Sequence, residues 1–479
     1  MKKTVLLTTL ILSVLCLQAQ KKDQMNVLFI VVDDLRPQLG SYGDKTIKTP
    51  NLDAFAKTAV QFNNAYSQVA VCGPSRSSFM SGLRPNTLGI IKLGQRGHPP
   101  ESTTVIPKVF KEAGYKTVGS GKLFHGLHHI EQQSWTQPYF AADKDVYHSE
   151  EALNYIESRV TLAKEKGLKN KEYRQFTKGP ATDAGDVLDV EYADGQNANF
   201  TIEQLKSLKD DNFFVAIGFQ KPHLPFNAPK KYWDLYDRDA LEFPEYRKIP
   251  IGSPGYALAN VINGELHAYA DIKRGETVPN DKGKELIHGY NACVSYVDAQ
   301  IGKVLASLKE EGLDDTTIVV LFSDHGWKLG EYNAWSKHTN YEIDARVPLM
   351  IRVPGNKGGT TNSIVELVDV FPTLCELTGL SAPDNLEGVS LVPVLNNTKT
   401  TVKEAGFSQF LRGSKHGVSI KTKNFRYTEW YEKKTKKVVG KELFDHSKDY
   451  AETNNVVKDS KYAEELPRLE ALLHAYSEK

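Results

Sequence analysis

Cysteine is scarce here: four residues in 479, one of which, Cys16, falls inside an N-terminal apolar run. That scarcity excludes a disulfide-dense scaffold. Net charge is almost missing too, since 60 Lys and Arg meet 59 Asp and Glu and leave +1 at neutral pH. With no basic surplus to follow a phosphate backbone, nucleic acid is excluded as a partner. Beyond residue 20 no apolar run reaches the ~20 residues that a bilayer requires, so no membrane span is expected. Repeats are absent and Gly and Pro are scattered without period, which removes collagen-like and low-complexity readings. What is present is 40% hydrophobic and 25% charged residues, which excludes a disordered chain. The length suggests two or three units around a large core.

The first residues are set apart from the fold. Lys2 and Lys3 precede an apolar run from Thr4 to Leu17, and Gln18-Ala19-Gln20 offers a small residue at a cleavage point. This is the pattern of a secretory signal over residues 1–19, and it predicts an exported protein, periplasmic or secreted. Cys16 raises a lipoprotein reading, against which stands the bulky Leu15 before it. With the signal removed, Cys72, Cys293 and Cys375 remain, an odd number for a compartment in which thiols oxidise. Cys293 and Cys375 sit in apolar helical patterns and read as small buried hydrophobes. Cys72, in Val71-Cys72-Gly73-Pro74-Ser75-Arg76, sits at a loop-to-helix junction and is the thiol that needs an explanation.

Apolar runs of strand length alternate with longer helical patterns, which predicts an α/β fold with a mostly parallel sheet covered on both faces. Four runs end in chemistry. Val27–Val32 leads into Asp33-Asp34, and Thr317–Phe322 leads into Ser323-Asp324-His325-Gly326. Phe213–Phe219 leads into Lys221-Pro222-His223, and Thr117-Val118-Gly119 leads into Lys122 and His125. In open α/β sheets ligands bind beyond the carboxyl ends of the strands. One carboxylate there is commonly a helix cap, but these four ends together offer three carboxylates, three histidines and two ammonium groups, a mix suited to a hard cation and an anionic substrate. Asp33, Asp34 and Asp324 are the oxygen donors that Ca²⁺ and Mg²⁺ prefer, while His325 leaves zinc open. Cys72 stands near a helix N-terminus, where anions are favoured, yet a thiolate is a soft donor beside hard oxygens.

The segment Cys72-Gly73-Pro74-Ser75-Arg76 resembles the C-x-P-S-R signature of type I sulfatases, whose cysteine is oxidised to formylglycine. Pro50-Asn51-Leu52-Asp53, Ser81-Gly82-Leu83-Arg84-Pro85 and Gly121-Lys122 resemble that family too. Val32–Pro37, Lys221–Phe226 and Ser323–Glu331 are most similar to its iduronate-2-sulfatase branch. The likeness runs from about Asn26 to Asp445, with one departure at Tyr332-Asn333-Ala334-Trp335, where a His-Gly is usual. The resemblance implies an alkaline-phosphatase-like fold: a large mixed, mostly parallel sheet flanked by helices, with a smaller C-terminal antiparallel sheet-and-helix subdomain. The expected division is a catalytic domain over 20–396 and a subdomain over 397–479. A helix is expected around Ile364–Leu380, antiparallel strands at Gly417–Thr422 and Phe425–Thr428, a solvated hairpin tip at Lys433–Lys437 and a final helix from Ala463 to Tyr476.

The resemblance also implies a metal site of Asp33, Asp34, Asp324 and His325 with residue 72, occupied by Ca²⁺ in preference to Mg²⁺. Hydrated formylglycine is a geminal diol: one hydroxyl attacks sulfur and displaces the sugar alcohol, and deprotonation of the other ejects sulfate and restores the aldehyde. Arg76, Lys122 and Lys337 would fix the diol and neutralise sulfate oxygens, His223 would protonate the departing oxygen, and His125 would take the second diol proton. Arg36 is expected to meet a uronate carboxylate; Trp135, Tyr139, Trp233, Trp327 and Trp335 are candidates to stack on sugar rings, with most of them expected in the core; His338 and His128-His129 carry no assigned role. The implied partners are a sulfated oligosaccharide or polysaccharide, such as a 2-O-sulfated uronic acid or an algal polysaccharide, and a formylglycine-generating maturation enzyme. Two alternatives stay open: a phosphatase or phosphonate hydrolase of the same superfamily, and a noncatalytic glycan-binding protein with unconverted Cys72.

Overall fold

Alternation along one strand organises the molecule. In Asn26–Val32, the side chains of Leu28, Ile30 and Val32 enter one core cluster and those of Val27, Phe29 and Val31 enter another, so the strand is buried on both faces. The computed structural model describes residues 24–477 apart from 93–98, 127–132, 143–145 and 259–260. The expected signal segment 1–19, Cys16 and the His128-His129 pair lie outside the described residues.

In chain order the first strands are β1 (Asn26–Val32), β2 (Val60–Tyr66), β3 (Lys116–Gly121), the two-residue β4 (Thr182–Asp183) and β5 (Phe213–Phe219). Then come β6 (Phe226–Asn227), β7 (Thr317–Ser323), β8 (Arg346–Arg352) and β9 (Gly359–Glu366). Seven of these form one sheet in the order β3-β5-β1-β7-β8-β2-β9. All neighbours are parallel except β8, which runs antiparallel to both β7 and β2. One face is covered by the 31-residue helix Asn280–Glu310, which places Leu286, Tyr290, Val297 and Ile301 in the same cluster as Leu28 and Ile30. The other face carries Phe29 against Phe79 and Phe322, the last edge-on at 5.3 Å between ring centres.

The expected helix at 364–380 starts later. Ile364–Glu366 completes β9 beside β2, and only after the turn Leu367–Asp369 does the helix Val370–Thr378 begin, ending at left-handed Gly379. A reciprocal bond pair between Glu366 and Asp369 caps that turn, so the break is made by side chains that hydropathy does not register. Cys293 and Cys375 are buried in helices.

The chain then forms a second, antiparallel sheet of β10 (Gly406–Arg412), β11 (Lys415–Lys421), β12 (Phe425–Glu432) and β13 (Val438–Asp445). The helix Leu466–Ser477 covers it through Leu469 and Leu473, which meet Phe407, Ile420, Tyr427 and Leu443. That helix starts three residues after the expected Ala463, because Ser460–Tyr462 is a 3₁₀ turn. Lys433–Lys437 is the exposed β12–β13 connection.

Fully buried Arg426 on β12 joins the two sheets. Its Nε donates to Glu452 at 2.6 Å and its NH2 to Glu342 at 2.5 Å, and Glu342 also accepts from Tyr66 on β2 at 3.0 Å. Glu342, His446 and Glu452 converge as metal ligands would, but the guanidinium already supplies the positive charge. Arg426→Met should therefore strand two buried carboxylates and lower stability by about 3–5 kcal/mol. Urea denaturation of the variant checks this, and a midpoint equal to that of the parent would refute it.

Candidate active site

The four strands β3, β5, β1 and β7 are adjacent and parallel, so their carboxyl ends open side by side. β1 delivers Asp33 and Asp34, β7 delivers Asp324 and His325, β5 delivers His223 and β3 delivers Lys122 and His125. Asp34 has a left-handed backbone (φ 62°), which turns the chain sharply at the end of β1. Lys122 comes this close because residue 218 on β5 lacks a side chain: a Cβ there would stand 2.1 Å from the Lys122 carbonyl.

The helix Cys72–Ser81 enters the same place with all ten residues buried. Pro74 lies in its first turn, where its missing N–H costs nothing, and left-handed Gly82 ends it. Arg76, fully buried, is the hub. Its Nε donates to Asp324 Oδ2 at 2.9 Å, its NH2 to Asp33 Oδ1 at 3.0 Å, and its NH1 to the carbonyls of Lys122 and Leu123. Lys122 Nζ pairs with the other oxygen of Asp33. Lys337 Nζ donates to both oxygens of Asp34, at 2.9 and 3.0 Å, and reaches Glu265 at 3.2 Å. Cys72 Sγ lies 3.2 Å from His325 Nε2, and His325 Nδ1 lies 3.2 Å from Asp34.

Ligand atoms of Asp33, Asp34, Cys72 and His325 all fall within 4.8 Å of one another. Asp324 borders the group, 3.6 Å from His325, with Oδ1 accepting from the backbone N–H groups of Asp34 and His325. Burial pushes Asp33 up, but Lys122 and Arg76 outweigh it and hold this carboxyl well below the usual range. Asp34 goes the other way: burial and the charge of Asp33 raise it despite Lys337. Such crowding of oxygen donors suits a hard divalent cation, which would relieve the repulsion between the two carboxylates. The odd member is the Cys72 thiol, which burial and Asp33 push up to about 12, leaving it protonated and a poor ligand.

Cys72, His125, His223 and Lys337 line a crevice of about 440 Å³. His223 Nδ1 faces the Leu224 carbonyl at 2.8 Å, and its Nε2 faces Glu265 at 3.2 Å. Burial, Lys122 and Lys337 pull its pKa down to about 4. His125 Nδ1 is buried with no partner among the described residues, and burial and Lys122 lower its pKa. Lys221 stays out of the crevice and donates to the carbonyls of His223 and Pro225, at 3.0 and 2.7 Å, bracing the loop.

One expectation is corrected. Arg36 does not face the crevice: its guanidinium pairs with Glu331 at 2.7 Å and donates to the Trp327 carbonyl. Trp135, Trp327 and Trp335 are buried in the core, Trp233 borders a cavity of about 590 Å³ with Asp183 and Lys282, and Tyr139 borders one of about 570 Å³ that His125 also lines. The departing segment Tyr332–Trp335 also packs inward, Tyr332 donating to the Ala451 carbonyl at 2.7 Å. In their place Glu265, His338 and Arg412 line the crevice. Sequence reasoning missed Glu265 and Arg412, since neither follows one of the four strand ends.

A family model described as Sulfatase matches residues 25–380, and one described as N-sulphoglucosamine sulphohydrolase, C-terminal, matches residues 330–479. An iduronate 2-sulfatase of Mus musculus is 34% identical over 408 residues, which is 75% of this chain and 70% of that protein. A sulfatase of Formosa agariphila is 32% identical over 475 residues, 95% of this chain and 88% of its own. Among solved structures, a complex with D-glucosamine-2-N,6-O-disulfate as its substrate superimposes with TM-score 0.73 at 21% identity, covering 95% of this chain and 98% of that one. A phosphonate monoester hydrolase from Silicibacter pomeroyi gives 0.75 at 22% identity, covering 95% of each chain. These structures share the fold.

Proposed function

Because the chain belongs to the sulfatase family and is thus a sulfuric ester hydrolase, we propose that it is an exported glycan sulfatase whose nucleophile is a formylglycine made from Cys72. One observation carries this reading: a buried thiol pushed up to about 12 sits among three carboxylates and three cationic side chains, where as a thiol it is neither nucleophile nor hard ligand. Oxidation to an aldehyde, hydrated to a diol, puts oxygen at that point. Asp33, Asp34, Asp324 and His325 with residue 72 would hold a Ca²⁺ or Mg²⁺, which would polarise a sulfate oxygen and acidify the hydroxyl at residue 72.

The chain's own groups divide the remaining work. Arg76 keeps Asp33 and Asp324 in place and, with Lys122, holds the Asp33 carboxyl in its charged form, while burial raises Asp324 against it. Lys122 and Lys337 flank the carboxylates and are placed to neutralise sulfate oxygens. His125, with Nδ1 unengaged, is placed to accept the proton of a hydroxyl at residue 72. His223 has acceptors at both ring nitrogens, which is the setting for an imidazolium that gives its Nε2 proton to the leaving oxygen. Lys122 and Lys337 oppose that charge, and an incoming sulfate ester brings the negative charge that offsets them.

The substrate class is a sulfated glycan, a 2-O-sulfated uronic acid or an algal polysaccharide, in keeping with relatives named iduronate 2-sulfatase and ulvan-active sulfatase. The Lys2-Lys3 start and apolar run support export, and among the described residues no helix is long and apolar enough to cross a membrane. A formylglycine-generating enzyme is the partner this reading requires.

The test joins two measurements on properly matured protein: sulfate release across a panel of defined sulfated oligosaccharides, and the mass of the peptide holding residue 72. Release together with the lower mass of the aldehyde is expected, whereas an alkylatable thiol and no release would leave a glycan binder. His223→Gln should cost about 10²–10⁴ in kcat/KM on a sugar sulfate. It should cost far less on 4-nitrophenyl sulfate, whose phenolate leaves without a proton. Equal losses on the two esters would remove the acid role.

A further inference from the structure

The C-terminal sheet reaches into the crevice. Arg412, the last residue of β10, lines it together with Cys72, Lys337 and His338. The buried arginines have carboxylates: Arg76 has Asp33 and Asp324, Arg84 has Glu366, and Arg426 has Glu342 and Glu452, whereas Arg412 is half-buried. Arg412 has none within 4.0 Å among the described residues. Its NH2 donates to the His338 carbonyl at 2.7 Å, the guanidinium lies 4.8 Å from the Phe410 ring centre, and Nε is buried without a partner. Burial pulls its pKa down, with Asp344 supporting the charge from further off.

His338 adds two observations. Its backbone is left-handed (φ 86°) although it is not glycine, and its Nε2 is buried without a partner. A backbone in that region costs energy and persists where surrounding structure over-determines it, often at ligand clamps. Here the Arg412 guanidinium holds the strained carbonyl. A half-buried cation without a counter-charge, beside an unengaged imidazole, is a site whose anion comes from outside. Lys122 and Lys337 already stand on the carboxylate side for the scissile sulfate, so the anion Arg412 awaits is another one.

Resting on the sulfatase reading of this crevice, we propose that Arg412 and His338 form a subsite for a second anionic group on the substrate, a carboxylate or a further sulfate, beside the sulfate that is cleaved. The same pair makes the C-terminal sheet a determinant of specificity as well as a structural partner.

Isothermal titration of a Cys72→Ala chain, which binds without turnover, tests this with two matched pairs. One is a 2-O-sulfated uronate oligosaccharide against its carboxyl-reduced form, the other N,6-disulfated glucosamine against N-acetylglucosamine 6-sulfate. The doubly anionic member of at least one pair should bind about tenfold tighter or better. Adding Arg412→Gln should bring that ratio close to one, a loss of about tenfold or more, in keeping with removal of hydrogen bonds to a charged group. Arg412→Lys, which keeps the charge and loses the fork, should fall between, and carries the comparison if the Gln chain does not fold. Which pair responds tells carboxylate from sulfate. No preference in either pair, or equal weakening of both members by Arg412→Gln, would overturn the subsite. Matured Cys72 protein that releases no sulfate, with the binding ratios intact, would instead overturn the enzymatic reading.

Discussion

Cys72→Ala should abolish sulfate release, a loss of at least ~10⁴-fold, and should leave the fold in place. The side chain is small and buried at the floor of the crevice, its polar contact is His325 at 3.2 Å, and among the described residues no backbone hydrogen bond is made to its sulfur. Removing one sulfur there costs stability on the order of 1 kcal/mol, within the ordinary range for a point substitution. Cys72→Ser is the sharper experiment. A serine hydroxyl restores a hard oxygen and can attack sulfur once, but the resulting ester has no second hydroxyl to expel sulfate. Rapid-mix kinetics should give a burst of no more than one product per chain, followed by arrest. Sustained turnover by the serine chain would show that no diol is needed, and the proposed chemistry would fall with it.

Arg76→Leu is expected to damage stability and rate together. The guanidinium bridges Asp33 and Asp324 and holds the carbonyls of Lys122 and Leu123, so one substitution unties the ends of three strands. Two buried carboxylates would keep their desolvation and lose their main counter-charge, at about 3–5 kcal/mol. The surviving protein should lose about 10²–10³ in kcat, as when a preorganised charge is removed from a reacting centre. Urea denaturation and sulfate release measure the two effects separately. A denaturation midpoint unchanged from the parent would mean that the bridge is not needed to hold the carboxylates.

Much of the site could be read from local patterns. Buried strands announce themselves as apolar runs, and Asp33, Asp34, Asp324 and His325 follow two such runs directly. Their meeting needs only that β1 and β7 be neighbours, as they are. Arg36 is near Asp34 in sequence but not in space at the crevice. The left-handed turn at Asp34 swings the chain away, and the Arg36 N–H ends on the Tyr290 hydroxyl at 3.0 Å. Tryptophans look the same in sequence whether they floor a sugar site or fill a core, and here they fill the core. Glu265 comes from a short 3₁₀ turn and Arg412 from a strand more than 300 residues after Cys72, so no motif could pair them with the nucleophile. Register and sheet order, not residue type, bring them in.

The position of β1 inside the sheet, between two strands made much later, has a consequence for synthesis on the ribosome. Its two neighbours are residues 213–219 and 317–323, so the first strand made finds no partner until long after it has emerged. At ~5–20 residues per second, residue 72 waits on the order of ten seconds to a minute before its surroundings can close over it. During that interval the sulfur that ends up at the floor of a narrow crevice is open to whatever reagent or protein the nascent chain meets.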